Sequence, residues 1–349
     1  MKKVISMLIG LFLAFFVANV PATALNLNSD DFTIAKGKLI EYKGSDTDVV
    51  IPKGVTSIGD SAFYRLVGLS SVVSVVIPEG VKSIGDYSFS QCKSLTSVVI
   101  PEGVTSIGDY AFRGSGLIHV DIPKSLNISD YAFYKCEELV SVAIPEGVKN
   151  IGEAMFAFCE SLVSVTIPNG VTSIGDDAFS HCSSLTSVTI PEGVMTIGNN
   201  AFQRCDSLTS ITLPESLTRI GRAAFNLCTG LESINIPEGV TIIEDWTFAG
   251  CFELAGITIP KDVTSIGERA FSGCKSLTSV VILENLVTIG DEAFVRCESL
   301  TRLTIPTSVT SIGKDAFFAC KNLILTVASG SYAERYAKEF RVPYVLSEQ

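Results

Sequence analysis

Ten cysteines are the residues whose type and spacing first suggest chemistry in this chain. Thiolates bind metal ions, and two thiols form a disulfide only when their side chains face each other. From Cys136 to Cys320 the spacing is constant at 23 residues, so these thiols occupy one slot of a repeated unit and point the same way. This predicts buried free thiols that pack as small apolar side chains, with disulfides or a metal site as the alternative. The ten are Cys92, Cys136, Cys159, Cys182, Cys205, Cys228, Cys251, Cys274, Cys297 and Cys320.

The two histidines, His119 and His181, have no catalytic or metal-binding motif around them. Zinc sites need closely spaced cysteine and histidine ligands, and the sequence contains no C-x-x-C or H-E-x-x-H. It also has no nucleophile turn and no phosphate-binding glycine loop. We therefore expect no catalytic residue, no cofactor and no metal ligand, and predict that the protein is not an enzyme.

The cysteine period belongs to a longer pattern that begins at an Ile-Pro step or its variant. This step recurs about every 23 residues, at positions 51, 77, 100, 122, 144, 167, 190, 213, 236, 259, 282 and 305. A unit of this length cannot bury its own apolar face and is stable only when stacked on its neighbours. The sequence therefore predicts an α/β leucine-rich repeat solenoid of about twelve units of 22–26 residues, over residues 51–327.

Each unit contains three recognisable pieces. The alternation in Ser187, Val188 and Thr189 predicts a half-buried strand, and equivalent strands should form one parallel sheet on the concave face of the solenoid. A second, shorter extended piece follows the Ile-Pro step. Asp176, after the glycine, is interpreted as the N-cap of one or two helical turns. A phenylalanine follows in every unit and predicts an aromatic spine, at residues 63, 89, 112, 133, 156, 179, 202, 225, 248, 271, 294 and 317.

The repeated pattern L-x-x-V-x-I-P-x-x-V-x-x-I-G-x-x-A-F-x-x-C resembles the BspA-type leucine-rich repeats of bacterial surface and secreted proteins. The resemblance covers roughly residues 45–327. It implies a solenoid that binds other proteins or host surfaces. It implies no catalytic residues, because the family shares none.

The two ends depart from the repeat. Residues 1–24 have a basic start, an apolar stretch and a small-residue cleavage pattern, which predicts a signal peptide; an uncleaved membrane anchor is the alternative. Residues 25–50 contain two alternating runs around a Lys-Gly turn and predict a β-hairpin cap. Residues 328–349 predict a helix-strand cap, in which Ser331 and Glu334 form a capping box. Residues 113–130 should be the least regular part of the coil.

The formal charge of −11 at pH 7 disfavours nucleic acid and anionic membranes as partners, because like charges repel. After signal cleavage we expect no membrane span. The prediction is an exported monomer, secreted or at the cell surface, with the periplasm as a possible location.

Two rows of side chains are candidates for binding. The outward strand positions are small and polar, and they are either a concave binding surface or an ordinary solvated sheet face. His119, Asp121 and Arg302 interrupt this row and are the first candidate contacts; the others are Ser164, Thr166, Ser187, Thr189, Ser210, Thr212, Ser233, Asn235 and Thr304.

The second row is acidic and follows the Ile-Pro step. It predicts a solvated edge, with Ca²⁺ or a basic partner as the alternative: Glu79, Glu102, Glu146, Glu192, Glu215, Glu238 and Glu284. Trp246, the one tryptophan of the chain, lies in a variable slot and is a possible contact.

The resulting prediction is a non-enzymatic, exported interaction protein of adhesin type that binds a protein ligand through its concave face. The alternative is a structural or periplasmic scaffold without a host ligand.

Overall fold

The computed structural model describes residues 29–64, 72–124 and 127–347. The chain winds into successive coils, and each coil has three sides: a longer strand, a shorter strand and a run of turns. Equivalent sides of neighbouring coils are joined by backbone hydrogen bonds. The predicted repeat solenoid is confirmed in this respect.

The longer strands pair in parallel, with equivalent residues opposite each other, such as Ser164 with Ser187 and Thr166 with Thr189. They carry the predicted alternation: Val188 is buried, whereas Ser187 and Thr189 are exposed. The column consists of β3 (Asp48–Val50), β5 (Ser74–Val76), β7 (Ser97–Val99), β9 (His119–Asp121), β11 (Ser141–Ala143), β13 (Ser164–Thr166), β15 (Ser187–Thr189), β17 (Ser210–Ile211), β19 (Ser233–Ile234), β21 (Gly256–Ile259), β23 (Ser279–Ile282), β25 (Arg302–Thr304) and β27 (Ile324–Val327).

The shorter strands form a second parallel column, in which an isoleucine of each coil faces the core. Proline after the longer strand cannot donate a ladder hydrogen bond, so that strand ends and the chain turns toward this side. The column consists of β4 (Ser57–Ile58), β6 (Ser83–Ile84), β8 (Ser106–Ile107), β10 (Asn127–Ile128), β12 (Asn150–Ile151), β14 (Ser173–Ile174), β16 (Thr196–Ile197), β18 (Arg219–Ile220), β20 (Ile242–Ile243), β22 (Ser265–Ile266), β24 (Thr288–Ile289) and β26 (Ser311–Ile312).

The third side runs from the glycine to the cysteine of each coil, and we call it the turn ladder. The sequence predicted helical turns in this segment, but the segment is not helical. Its amide groups alternate between two kinds of acceptor. Ser180 N–H donates to Asp177 O of the same coil (3.0 Å), whereas Phe179 N–H donates to Ala201 O of the next coil (2.8 Å). Asp177 (φ 54°) and His181 (φ 60°) have left-handed backbone conformations, which interrupt a helix every four residues. The segment is a chain of tight turns bonded to the next coil.

The acidic residue after the glycine joins coils and does not cap a helix. Asp176 Oδ1 accepts a hydrogen bond from the backbone N–H of Asn199, the equivalent residue one coil later (2.7 Å). Asp245 and Asp291 make the same contact with Glu268 and Lys314 (2.8 Å each). The N-cap interpretation of Asp176 was therefore wrong, because without a helix its carboxylate meets the next coil's free amide.

The phenylalanine slot forms the predicted spine through the core. From Phe63 to Phe317 successive rings are stacked, and the planes of Phe202 and Phe225 are 2° apart with centroids 5.5 Å apart. Every ring in the slot is at most 5 % exposed. The stack continues into both ends of the described chain, where Tyr42 packs on Phe63 and Tyr336 meets Phe317 edge-on.

A β-hairpin precedes the first coil. β1 (Phe32–Ala35) and β2 (Lys38–Tyr42) are antiparallel around Lys36 and Gly37, and β2 pairs in parallel with β4. A 3₁₀ turn at Ser29–Asp31 lies before the hairpin. The parallel column begins at β3, three residues before the first Ile-Pro step.

The last coil is followed by the helix α1 (Tyr332–Glu339) and the strand β28 (Tyr344–Leu346). Ser331 Oγ accepts from Glu334 N–H, as a capping residue does. The Glu334 carboxylate accepts from Gly330 N–H (2.7 Å), one residue before the position expected in a capping box. β28 pairs in parallel with β27 and so covers the open edge of the longer-strand column.

Several sequence predictions lie outside the described residues, including the signal peptide at 1–24 and part of the long first repeat at 65–71. The described part of 113–130 keeps the turn pattern, since Arg113 N–H donates to Tyr110 O (3.0 Å) and β10 pairs with β8. In the part of the chain that the structure describes, no helix has the length and apolar character needed to cross a bilayer.

We expect Phe202→Ala to destabilise the protein much more than Thr189→Ala. Removing the Phe202 ring leaves a cavity inside the spine and costs about 3–5 kcal/mol. Thr189 is exposed and its removal costs roughly 0.5 kcal/mol or less. Chemical denaturation of both variants measures this, and equal shifts of the two midpoints would show that the assignment of core and surface is inverted.

We also expect Ser90→Ala to stabilise the protein. Ser90 is fully buried, and its hydroxyl oxygen has no hydrogen-bond partner among the described residues. Removing an unsatisfied buried hydroxyl should raise the unfolding free energy by about 1 kcal/mol. Ser180 is the matched control, because it occupies the same slot and its hydroxyl bonds to His181 Nδ1 (2.9 Å). Ser180→Ala should shift the urea midpoint in the opposite direction.

Candidate interaction surfaces

The predicted binding row lies on the outward side of the longer strands, which we call the strand face. His119 is half-buried, and every other candidate of the row is exposed. Outward strand positions line up in register: the candidates His119, Ser164 and Ser187 and the half-buried Ser141 are paired in sequence along β9 to β15. The longer strands form four separate parallel ladders, β3 to β7, β9 to β15, β17 to β19 and β21 to β28, and not the single sheet that the sequence predicted. The candidate residues therefore lie in register within each ladder.

The residues that interrupt the row lie near its two ends. His119 Nδ1 is 3.0 Å from Ser141 Oγ, and the exposed Asp121 lies two residues further along β9. Arg302 is exposed on β25, opposite Ser279 of the preceding coil. The strand face thus carries a carboxylate near one end and a guanidinium near the other.

The strand face is less polar than its sequence suggested. Val76 and Val281 occupy outward strand positions and are 39 % and 46 % exposed. Val73, Ile118 and Val163, each just before a strand, are 40–42 % exposed. Four of these five belong to the coils before residue 167, so that end offers apolar contact area and the following coils offer hydroxyl groups.

The acidic row is exposed along its whole length. Glu192 Oε1 accepts from the backbone N–H of Glu215, one coil later (3.4 Å). No three potential metal-ligating side chains cluster in residues 29–64, 72–124 and 127–347. The arrangement is that of a solvated edge.

The cysteine column is inside the solenoid, as predicted, and all ten thiols are free. Each Sγ–H also makes a hydrogen bond that the sequence did not indicate. Cys228 donates to Phe202 O (3.0 Å) and Cys251 to Phe225 O (3.2 Å), in both cases the phenylalanine of the preceding coil. Burial raises the pKa of Cys182 and Cys228 to about 12. These thiols remain protonated and inaccessible to reagents at neutral pH.

His181 lies beside a serine and a carboxylate, yet the arrangement is not that of a nucleophile. Ser180 is 2 % exposed, and its hydroxyl contacts both His181 Nδ1 and the Asp177 carboxylate. In a catalytic triad the imidazole lies between the serine and the carboxylate. Here the serine lies between them and no substrate can reach it. Burial, with a contribution from Arg204, lowers the His181 pKa.

An aromatic strip runs along the outer side of the turn ladder. Tyr87, Tyr110 and Tyr131 occupy the left-handed slot of three successive coils and stack with centroids 5.0 and 4.6 Å apart. Tyr134 and Phe158 extend the strip to the ring of His181, which stacks on Phe158 at 4.2 Å. Cations lie over these rings, with Arg113 5.9 Å from Tyr110 and Lys135 5.3 Å from Phe158.

Trp246 lies further along the same side, in the same left-handed slot (φ 61°), and is half-buried. The Arg269 guanidinium is 4.7 Å from the indole centroid, a cation–π contact. Glu292 holds that guanidinium with two hydrogen bonds of 2.8 and 2.7 Å. Trp246 is therefore a fixed surface group, more covered than a fully exposed contact residue.

Apart from Trp246, the outward residues of the turn ladder were not predicted as a surface, because the segment was predicted to form helical turns. The available signal was the contrast between slots: Ala-Phe and Cys recur almost unchanged, whereas the residue before Ala varies from Tyr to Asn, Ala, Trp and Arg. A slot that tolerates such different side chains faces outward.

Comparison with known proteins agrees with this architecture. A family model described as the BspA-type leucine-rich repeat region, in six copies, matches residues 37–127, 56–186, 149–275 and 195–324. No curated protein matches the sequence significantly.

Several solved structures have a similar fold. A leucine-rich repeat protein from Bacteroides ovatus is 29 % identical, with a TM-score of 0.76, over 86 % of this chain and 84 % of that chain. One from Eubacterium ventriosum is 24 % identical, with a TM-score of 0.55, over 82 % and 89 % of the two chains. The pneumococcal vaccine antigen PcpA is 20 % identical, with a TM-score of 0.62, over 91 % and 96 %. The last two share the fold.

The buried thiols predict a loss of stability at high pH. A cysteine pKa of 9.0 in the unfolded chain rises to about 12 in the folded chain for residues such as Cys182, so only the unfolded chain ionises between these values. The unfolding free energy should be unaffected by the thiols below pH 9 and fall as the pH rises from 9 toward 12. Urea unfolding at a series of pH values measures this dependence.

Thiol labelling at neutral pH provides the control. The native chain should react at Cys320, which is half-buried, and the other nine should react only after denaturation. Ready labelling of most of the ten in the folded protein would contradict the buried column.

Proposed function

The chain belongs to the BspA-type leucine-rich repeat family, and from this premise we propose that it is an exported, adhesin-type interaction protein that binds a protein ligand through its strand face. The binding requires no catalytic group. It uses hydroxyl and apolar side chains displayed in register on a rigid sheet.

The proposal rests mainly on the exposed polar side chains that lie in register within each ladder of the strand face. The rows of exposed Ser and Thr side chains lie on strands paired in parallel, such as β13 with β15 and β17 with β19. Short side chains lose little conformational entropy when a partner covers them, and hydroxyl groups both donate and accept hydrogen bonds. The exposed Val73, Ile118 and Val163 add apolar contact area of the kind found at interface cores.

Export is the second part of the proposal. It is supported by the signal-like pattern of residues 1–24. Expression of the full chain with fractionation into cytoplasm, envelope and medium tests it. Accumulation of an unprocessed chain in the cytoplasm would contradict it.

The strand face is tested by the triple variant Ser187→Arg, Ser210→Arg and Ser233→Arg. All three side chains are exposed, and Arg302 occupies the same slot in another coil, so the fold should tolerate the change. Three long cations at the centre of the face should weaken binding to the protein's ligand by about a hundredfold or more. Immobilised extracellular-matrix proteins and bacterial surface extracts serve as the first binding panel, measured by surface plasmon resonance.

The matched control carries the same charges on another side of the solenoid. Ser173→Arg, Thr196→Arg and Ser265→Arg lie in the shorter-strand slot that Arg219 occupies, and should leave binding unchanged. If the strand-face variant folds normally and binds as tightly as the parent, the strand face is not the site. Equal losses in both variants would indicate a non-specific charge effect.

A further inference from the structure

Trp246 has a different environment on each side of its indole. Toward the next coil, Arg269 covers the ring. Toward the preceding coil, the equivalent slot holds Ala223, whose methyl group is too short to cover it. A cleft of about 430 Å³ opens at this point, lined by Asn199, Asn200, Gln203, Arg222, Ala223, Asn226 and Trp246.

The cleft includes the place of one missing ring. In other coils the Ala223 slot holds Tyr87, Tyr110 or Tyr131, and those rings stack on their neighbours with centroids 5.0 and 4.6 Å apart. The space above Ala223, between Asn200 and Trp246, spans two coils, or roughly 10 Å at the spacing of parallel strands. One six-membered ring fits there against the indole.

The polar side chains around this space are held in place. Gln203 Nε2 donates to Asn226 Oδ1 (3.1 Å), and Asn226 Nδ2 donates to Ala249 O (3.2 Å). Asn199 Oδ1 accepts from the backbone N–H of Arg222 (3.0 Å) and from Arg219 (3.3 Å). These contacts fix the amide planes before any ligand arrives, which reduces the entropy lost on binding.

Hydrogen-bonding capacity remains at the cleft. Gln203 Oε1 is still available as an acceptor, and the Arg222 guanidinium makes no hydrogen bond or ion pair with another side chain in the described chain. An amide offers both a donor and an acceptor, and a guanidinium offers paired donors that match a carboxylate. A ligand that suits this cleft therefore carries groups that donate and accept around a ring with an apolar face.

We propose that the cleft between Trp246 and Asn200 binds the pyranose ring of a saccharide. The C–H face of the sugar would lie on the indole, and its hydroxyl groups would meet the amides and Arg222. An aromatic side chain of a protein partner fits less well, because only Ala223 and Trp246 among the lining residues are apolar. The Arg222 guanidinium favours a sugar that carries a carboxylate. This site lies on the turn ladder and is separate from the proposed protein-binding strand face.

The single tryptophan of the chain makes the test direct, because all indole fluorescence comes from the proposed site. The folded protein is titrated with neutral and uronic-acid oligosaccharides while indole emission and its quenching by acrylamide are recorded. We expect saturable changes, stronger for the uronic-acid series, and protection from acrylamide. Titrations with a nucleoside and with an N-acetylated tyrosine amide test the other ring-shaped ligands.

Ala223→Tyr should fill the cleft and weaken saccharide binding at least about tenfold, because the new ring takes the ligand's position. The slot accepts tyrosine in three coils with the same left-handed backbone (φ 53° at Ala223), so the variant should fold. Ala154→Tyr is the matched control: it makes the same change in the same slot (φ 45°), three coils away. It should bind saccharide as the parent does.

Arg222→Gln should remove the preference for the acidic over the neutral series, and a retained preference would overturn the role of Arg222. The proposal fails if no saccharide in the panel changes the emission, or if both tyrosine variants lose binding equally. It also fails if the nucleoside or the tyrosine amide binds in preference to every saccharide.

Discussion

The structure depends on backbone hydrogen bonds between neighbouring coils. A unit of 23 residues has no core of its own, so its amides must find acceptors one coil away on all three sides. On the strand sides this is ordinary parallel pairing. On the turn side it requires every fourth residue to adopt a left-handed conformation, as Asp177 and His181 do, so that alternate amides point along the solenoid. The side-chain contacts between coils, from Asp176 to Asn199 and from Cys228 to Phe202, follow this backbone pairing.

The left-handed conformation explains why the turn ladder has an unvarying interior and a varied exterior. A strained backbone costs on the order of 1 kcal/mol per residue, and it persists because both neighbouring coils impose it. The side chain in this left-handed slot lies on the outer side of the turn ladder and is not part of the hydrophobic core. Tyr110, Ala223 and Trp246 therefore share one backbone geometry and differ completely in chemistry. Specific surfaces can form here without any change in the core.

Much of this architecture follows from the sequence because a repeated slot has a single environment. The period, the phenylalanine spine, the inward cysteines and the outward Ser187 and Thr189 were predictable from residue type and spacing. The turn ladder was not, since Asp-Asp-Ala-Phe has the composition of a short helix and its left-handed Asp177 is not marked by a glycine. At the surfaces, sequence predicted the direction of the strand-face side chains. It did not predict the cleft at Trp246, because that cleft arises from a small residue, Ala223, one coil away.

The tyrosines that cover the two ends of the phenylalanine spine have a consequence for how such a chain can change its length. Tyr42 covers the first phenylalanine of the spine and Tyr336 meets the last, each through contacts that any coil of the stack would offer. Each end packs on a phenylalanine, a residue that every coil has, so these contacts do not depend on the number of coils between the ends. Insertion or removal of one whole coil would keep the backbone pairing between neighbouring coils and move the ends by one strand spacing, about 4.8 Å. A coil added or removed between the aromatic strip and Trp246 would therefore change the distance between these two surface features in steps of one coil.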